Sequence, residues 1–361
     1  MSRVAGSRVP VAVLGATGTV GQTFVRLLAD HPLFELTEVA ASDRSAGRPY
    51  GEVARWHGDA PPRSAARLTL SACAPGEVRS SVVFSALDAS VAGEIEAAFA
   101  CAGAVVLSNA RNFRMEPDVP LVIPELNAEH LRLVDAQRAG RGWPGAVVTN
   151  ANCAATVAAM ALAPLRDAFG VRTVFVSTMQ AVSGAGYPGV PSLDILGSVI
   201  PFIGGEEEKI ESELTKLLGT LGDGLVEPAG FAVSAHANRV PVEHGHTACL
   251  SVGLERRASP EEAAAAIRDW RGAEVCRGLP SAPERPLLLR DEPDRPQARR
   301  DVDAGAGMSV SVGRVRPDPV LDLRLVALGH NTIRGAAGGS VLNAEVMGRM
   351  GLLPDVAGGA W

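Results

Sequence analysis

The stretch VPVAVLGATGTVG, from Val9 to Gly21, decides how this chain folds. A run of β-forming apolar residues enters a turn with Gly15, Gly18 and Gly21, and the amphipathic segment GTVGQTFVRLLADH leads out of it. Glycine at these places permits a tight strand-to-helix turn and lets backbone N–H groups approach a pyrophosphate at the helix end. Tight turns also use glycine for steric reasons alone, but a strand before and a helix after is the context a dinucleotide fingerprint requires. Gly15, Thr17, Gly18, Thr19 and Val20 are therefore candidate cofactor contacts.

Working outward, FELTEVAAS, SSVVFSALD, GAVVLSNA and GAVVTN repeat the short apolar strand, each separated from the next by amphipathic chain. Such alternation means βαβ units, so residues 1–150 are expected to form a doubly wound, Rossmann-type parallel sheet with its ligand crevice at the carboxyl ends of the strands. Ser85 and Ala86, in FSALDAS, end one of these strands and join the cofactor candidates. At the end of the second strand, AASDRSAGR offers Ser42, Arg44 and Ser45, which suit the 2′-phosphate of NADP better than the ribose hydroxyls of NAD. A solvated polar turn is the alternative, because Asp43 facing inward would oppose an anion.

Beyond residue 150 the pattern changes. TVFVSTMQAVSG, FAVSAHANRVPV, HTACLSVGLE, MSVSVGRVRP and LDLRLVAL alternate like strands of a mixed, largely antiparallel sheet. A second, α+β domain is expected over 151–338, and a closing helix over 339–361 is expected to return to the first. The proline- and charge-rich segment 279–305 lies between strands of the second domain, and is read as an ordered excursion or interface arm.

In 361 residues, 47% hydrophobic and 20% charged, there is room for two cores. The net charge of −6 speaks against a nucleic-acid footprint or an anionic membrane surface, so an anionic ligand must be held by local groups. Cys73, Cys101, Cys153, Cys249 and Cys276 form an odd set without a CxxC pair, which argues against a disulfide framework or a bound metal. A reducing, cytoplasmic setting follows. The apolar part of the opening MSRVAGSRVPVAVLGATG is short and runs straight into the glycine turn, so it reads as a first strand and not as a leader.

The chemistry centres on VTNANCAAT. Free cysteine is usually a small buried residue, but Cys153 follows the polar turn Asn150-Ala151-Asn152 and opens a strong helix former, where the helix N-terminus favours a thiolate. Backbone at the start of that helix, with the Asn152 side chain, could stabilise an oxyanion. NRVPVEHGHTACLSV offers Arg239 as a carboxylate clamp and His246 as a proton carrier, with His244 the less suitable of two histidines that are more often structural. GGEEEKIESELTKLLG reads as a solvated charged helix, or alternatively presents Glu206 and Lys209 one turn apart to a zwitterionic or phosphorylated substrate.

Taken in order, GATGTVG, SNARNFRM, NANCAAT, STMQAVSGAGYPGVPSLDI, GEEEKIE, NRVPVEHGHT, DEPDRPQ, GMSVSVGRVRP and HNTIRGAAGGSVLNAE resemble the aspartate-semialdehyde dehydrogenase family, in its archaeal and fungal-type branch, over nearly the whole chain. The resemblance implies NADPH-dependent reductive dephosphorylation of L-aspartyl-4-phosphate to L-aspartate 4-semialdehyde, in the biosynthesis of lysine, threonine and methionine. It casts Cys153 as nucleophile and thioester carrier, His246 as general acid and base, and Gln180 as a substrate holder at the acyl-enzyme stage. Arg239 would clamp the α-carboxylate and Glu206 the amino group, while Arg114, Lys209 and Asn112 would serve the phosphate. Ser183, Gly184 and Gly186 would line the nicotinamide end, with Asn343 near its carboxamide. A homodimer or homotetramer is implied as well.

Three positions depart from the family pattern: Ala151 where proline is usual, Asp88 where another proline is usual, and Ala248 where a polar residue follows GHT. Ala248 raises the alternative of a different acyl donor, as in malonyl-CoA reductase or a paralogue in specialised metabolism. A catalytically silent NADP-binding regulatory protein is a third reading, opposed by the presence of Cys153, Gln180 and His246.

Overall fold

The structure, a computed structural model, describes residues 8–58 and 60–354. The reading of the opening segment falls partly on residues 1–7, outside the described residues.

Seven strands make the first sheet: β1 (Val9–Leu14), β2 (Phe34–Ala41), β3 (Leu70–Ala72), β4 (Val82–Ser85), β5 (Val105–Ser108), β6 (Leu121–Val122) and β7 (Ala146–Asn150). Their order is β3-β2-β1-β4-β5-β7-β6 and every pairing is parallel. The sheet is buried on both sides, which explains its nearly continuous apolar strands. Side chains of β1 alternate between the two faces. Val11 and Val13 pack with Phe24, Phe34, Phe84 and the chain's last helix, whereas Ala12 and Leu14 pack with Val83, Phe99 and Val106 on the opposite face. The doubly wound parallel sheet is the one expected. The edge strands β3 and β6 escape a sequence reading because three and two residues carry no period.

Strand order reverses between β1 and β4, and ligands of such sheets bind at that point. Gly15 sits there with φ +68°, and a Cβ on it would meet the Ala86 carbonyl oxygen at 2.6 Å. Only glycine lets the two crossing loops touch.

The second sheet begins with β8 (Val171–Gln180). After a small hairpin, β9 (Thr220–Leu221) and β10 (Val226–Glu227), it continues through β11 (Ala232–Arg239), β12 (His246–Leu254), β13 (Leu287–Arg290), β14 (Val310–Pro317) and β15 (Leu323–Gly329). The order is β11-β8-β12-β15-β14-β13. The three central pairings are antiparallel and the two outer ones parallel, so the sheet is mixed and largely antiparallel. The buried helix Cys153–Phe169, rich in alanine, covers one face together with the helices Glu206–Leu217 and Pro260–Asp269. The other face leaves Phe175 and Met179 exposed.

The segment 279–305 is ordered. It supplies the edge strand β13, while Cys276 and Leu279 at its start pack into the core of the first sheet. Asp301, fully buried, ties Arg290 and Arg295 to this segment. The closing helix runs from Gly338 to Arg349, shorter than the expected 339–361, and residues 355–361 lie outside the described residues. It packs on the first sheet through Val341, Leu342, Val346 and Met347.

Candidate active site

Strand β7 ends at Asn150 and the next helix starts at Cys153, so the turn between them carries the nucleophile candidate from the first sheet to the second. Asn152 caps that helix, its Oδ1 accepting from Ala154 N at 2.9 Å and Ala155 N at 3.0 Å. Its Nδ2 donates to Glu206 Oε1 at 2.7 Å and its backbone N to Glu213 Oε2 at 2.6 Å. These bonds hold the turn without the proline that Ala151 replaces. Of the groups expected to serve an oxyanion, the Ala154 and Ala155 amides are taken by the Asn152 side chain, and that side chain is itself bound to Glu206.

The first residue of β12, His246, brings Nε2 to 3.1 Å from Cys153 Sγ. Ala181 N donates to Nδ1 at 3.1 Å, so a neutral ring carries its proton on Nε2, facing the sulfur. Burial, with Arg239 nearby, pulls His246 down to about 3. Burial and the Glu206 charge push the Cys153 thiol up to about 12, against the pull of Arg114 and Arg239. Both shifts run toward the neutral thiol and the neutral ring, with desolvation the largest cause of each, in the opposite direction to the thiolate expected at a helix N-terminus. Two glycines make the contact possible: a Cβ on Gly184 would lie 3.1 Å from His246 Nε2, and one on Gly335 would lie 2.7 Å from Cys153 Cβ.

Arg239 is buried and donates Nη1 to the Ala181 carbonyl at 2.8 Å. Among the described residues its side chain has no carboxylate within ion-pair distance; a buried guanidinium in that state is suited to an incoming carboxylate. Glu206 is buried beside it. Desolvation alone would raise its pKa, but Lys209, Asn152 and Gln180 together hold it below the usual carboxylate range. Lys209 Nζ reaches Glu206 Oε2 at 2.7 Å, so the helix read as a solvated face turns one side inward. Gln180 is buried and its Nε2 lies 3.3 Å from Thr178 Oγ1.

Arg114 reaches the same cluster but is already paired, Nη1 with Glu213 Oε1 at 2.9 Å and Nη2 with the Asn109 carbonyl at 2.8 Å. Its buried Nε has no hydrogen-bond partner among the described residues. Asn112, expected beside it, points elsewhere: its Nδ2 donates to the Ala89 carbonyl at 2.9 Å, at the start of the helix Ala89–Cys101. A two-residue offset in the loop turns it to the other side.

Toward the cofactor edge, the helix Thr19–Leu28 starts at Gly18 with no side-chain cap. A Cβ on Gly21 would stand 2.1 Å from the Gly15 carbonyl oxygen, so glycine sets the helix against the turn. Gln22 braces the turn through the Thr17 carbonyl, and Val20 is half-buried beside it. Ser42 and Arg44 are exposed after β2 and Ser45 half-buried, around a short turn Asp43–Ser45. An uncapped helix start, a glycine cradle and an exposed arginine with serines fit a dinucleotide carrying a 2′-phosphate. Ala86 forms the facing wall through its carbonyl. The Ser85 hydroxyl is spent below the surface on buried Glu96, at 2.6 Å. Ser183 and Gly184 lie in the turn Val182–Ala185, with Gly186 after it at φ +70°. Asn343 is buried in the helix Gly338–Arg349, its Nδ2 3.5 Å from the Val122 carbonyl and its Oδ1 without a partner among the described residues.

Two semialdehyde dehydrogenase domain families match this chain: the NAD binding domain over residues 10–134 and the dimerisation domain over 162–334. It is 52% identical to the aspartate-semialdehyde dehydrogenase of Methanothermobacter thermautotrophicus, over 94% of this chain and 99% of that one. The enzyme of Schizosaccharomyces pombe is 45% identical over 95% and 99%. The chain belongs to the aspartate-semialdehyde dehydrogenase family. The crystal structure of Candida albicans aspartate semialdehyde dehydrogenase with NADP superposes with a TM-score of 0.88 at 41% identity, covering 96% of this chain and all of that one.

Within this family, Ala248 loses its force as a marker of another acyl donor. It is 1% exposed and packs in the second core. These relatives lend no support to a malonyl-CoA reductase or a silent regulator. The sequence reading passed over Glu213, although it lies seven residues past Glu206 on the same helix face. It also passed over Asn331, whose Oδ1 accepts from Gly245 N and whose Nδ2 donates to Ser183 Oγ, fixing both loops that flank His246. His244 joins Ser183 Oγ at 3.0 Å and stacks on His330, away from the sulfur.

Proposed function

We propose that this chain is an NADP-dependent phosphorylating aspartate-semialdehyde dehydrogenase, reducing L-aspartyl-4-phosphate to L-aspartate 4-semialdehyde for lysine, threonine and methionine biosynthesis. The observation that carries the reading is the 3.1 Å contact of Cys153 Sγ with His246 Nε2 beside the Arg239 guanidinium, which among the described residues pairs with no carboxylate.

Arg239 receives the α-carboxylate and Glu206 the amino group, while Lys209 and Arg114 face the phosphoryl group. Sγ attacks the acyl carbon, the bond to the phosphate oxygen breaks, and a thioester forms on Cys153. Since Nδ1 is taken by Ala181 and Nε2 already holds the ring proton, the thiol proton passes to the departing phosphate dianion, which leaves as hydrogen phosphate. Gly15, Thr17, Gly18, Thr19, Val20, Ser42, Arg44 and Ser45 would hold NADPH and Ser183, Gly184 and Gly186 would line its nicotinamide end; the cofactor would supply the hydride. Gln180 keeps the acyl group in place, and His246 gives its Nε2 proton to the sulfur as the aldehyde is released, regenerating the thiol, then takes a proton back from solvent.

Residues 1–150 with the last helix hold NADP, and 151–338 form the catalytic and dimerisation domain. The open face around Phe175 and Met179 supports assembly into a homodimer or homotetramer. The site of action is the cytoplasm; among the described residues no helix is long and apolar enough to cross a membrane.

The test is the reverse reaction with phosphate, NADP and L-aspartate 4-semialdehyde. NADPH formation should require phosphate and fall by about 1000-fold or more in Cys153→Ser. Phosphate-independent turnover, or full activity in the variant, would sink the reading.

A further inference from the structure

The helix Glu206–Leu217 sets Glu206, Lys209, Glu213 and Lys216 along one face, at spacings of three, four and three. The first pair belongs to the proposed substrate site. The second pair has no role in it, yet both side chains are buried. Glu213 is 1% exposed and divides its carboxylate: Oε1 accepts from Arg114 Nη1 at 2.9 Å, Oε2 from Asn152 N at 2.6 Å. One side chain thus bridges the arginine facing the phosphoryl group and the residue that precedes the nucleophile. Lys216 Nζ donates to the carbonyls of Arg114, Glu116 and Val119 at 2.7, 2.7 and 2.9 Å, which uses its three protons on the loop carrying Arg114. From outside, Arg141 grips the same loop through Asp118 and Glu116. A loop braced on both sides is built to hold one geometry.

We propose that Glu213 is a positioning residue of this site: it fixes the Arg114 guanidinium relative to the Asn152 amide, so that the phosphoryl group and the Cys153 sulfur meet in register, with Lys216 pinning the loop. The catalytic consequence rests on the acyl-phosphate reading of the site. The bridge itself does not.

Two substitutions probe it. Glu213→Gln keeps the shape but turns an NH2 toward one of two donors, and Glu213→Asp keeps the charge but is one methylene too short to span both. Each should raise KM for phosphate about 10-fold and lower kcat about 100-fold, with KM for NADP unchanged. In an Arg114→Ala background Glu213→Gln should add less than about 2-fold, because the carboxylate acts through the arginine. Protection of Cys153 from iodoacetamide by inorganic phosphate needs no turnover, and half-protection should require about 10-fold more phosphate in Glu213→Gln. Additive losses, an unchanged phosphate dependence, or an equal loss of NADP affinity would overturn the proposal. If the wild-type chain shows no phosphate-dependent turnover, the acyl-phosphate reading fails and the protection assay alone decides: a shifted half-protection supports the bridge, and no protection or no shift refutes it.

Discussion

Two helix starts at the carboxyl edge of one parallel sheet are finished in opposite ways. The helix after β1 begins at Thr19 behind Gly18, with no side chain capping its amides. The helix after β7 begins at Cys153 behind Asn152, whose side chain and backbone N make four hydrogen bonds to Ala154, Ala155, Glu206 and Glu213. A terminus left open suits an anion that comes and goes, since its partial positive charge stays available. A terminus closed by protein groups suits a side chain that must be aimed. The first needs only glycine and a local turn. The second needs carboxylates from more than fifty residues away in the chain.

The strongest way to break this comparison is to remove the closed cap. Asn152→Ala loses a cap worth about 1 kcal/mol and frees Glu206 while leaving the backbone N–H at 152 on Glu213, so kcat should fall about 100-fold while NADP affinity, measured by fluorescence titration, stays within about 2-fold. An NADP defect as large as the kcat defect would mean the two termini are not separate devices.

The open end is sharpened by two alanines. Gly21→Ala puts a Cβ 2.1 Å from the Gly15 carbonyl oxygen, so the turn itself must give, whereas a Cβ on Gly18 stands 3.5 Å from the same oxygen in ordinary contact. Gly21→Ala should lower the melting temperature and raise KM for NADP about 10-fold. Gly18→Ala should leave the melting temperature alone and weaken NADP only so far as the cofactor approaches that face. Equal melting temperatures for the two variants would contradict the geometry.

A third comparison concerns charge at the closed end. With the thiol pushed up to about 12 and His246 pulled down to about 3, both groups are neutral between these values. The reactive species is the thiolate, and below a raised pKa its fraction rises with pH. Alkylation of Cys153 by iodoacetamide should therefore climb about 10-fold per pH unit from pH 6 to 9, with no acidic plateau. A plateau below pH 8 would reveal a thiolate–imidazolium pair, and would mean that the helix terminus outweighs burial at Cys153 as well.

The sequence by itself determined the parallel sheet and the glycine turn, and it picked out Cys153 and His246 as the candidate reacting pair. Those signals are local: β-forming runs such as VPVAVL, the three glycines that end them, and a cysteine at a helix start can be read without knowing what lies across the cleft. The two edge strands were too short to show a period, and Asn112 turned away because a loop's side-chain directions are set by its contacts and not by its spelling. Tertiary structure alone decided that Glu213 joins Arg114 to Asn152, that Asn331 sets the loops around His246, and that Ala248 faces the core. It also set the direction in which the Cys153 and His246 pKa values move. Desolvation and hydrogen bonding depend on what surrounds a group in space, and here the surroundings come from chain segments that only folding brings together.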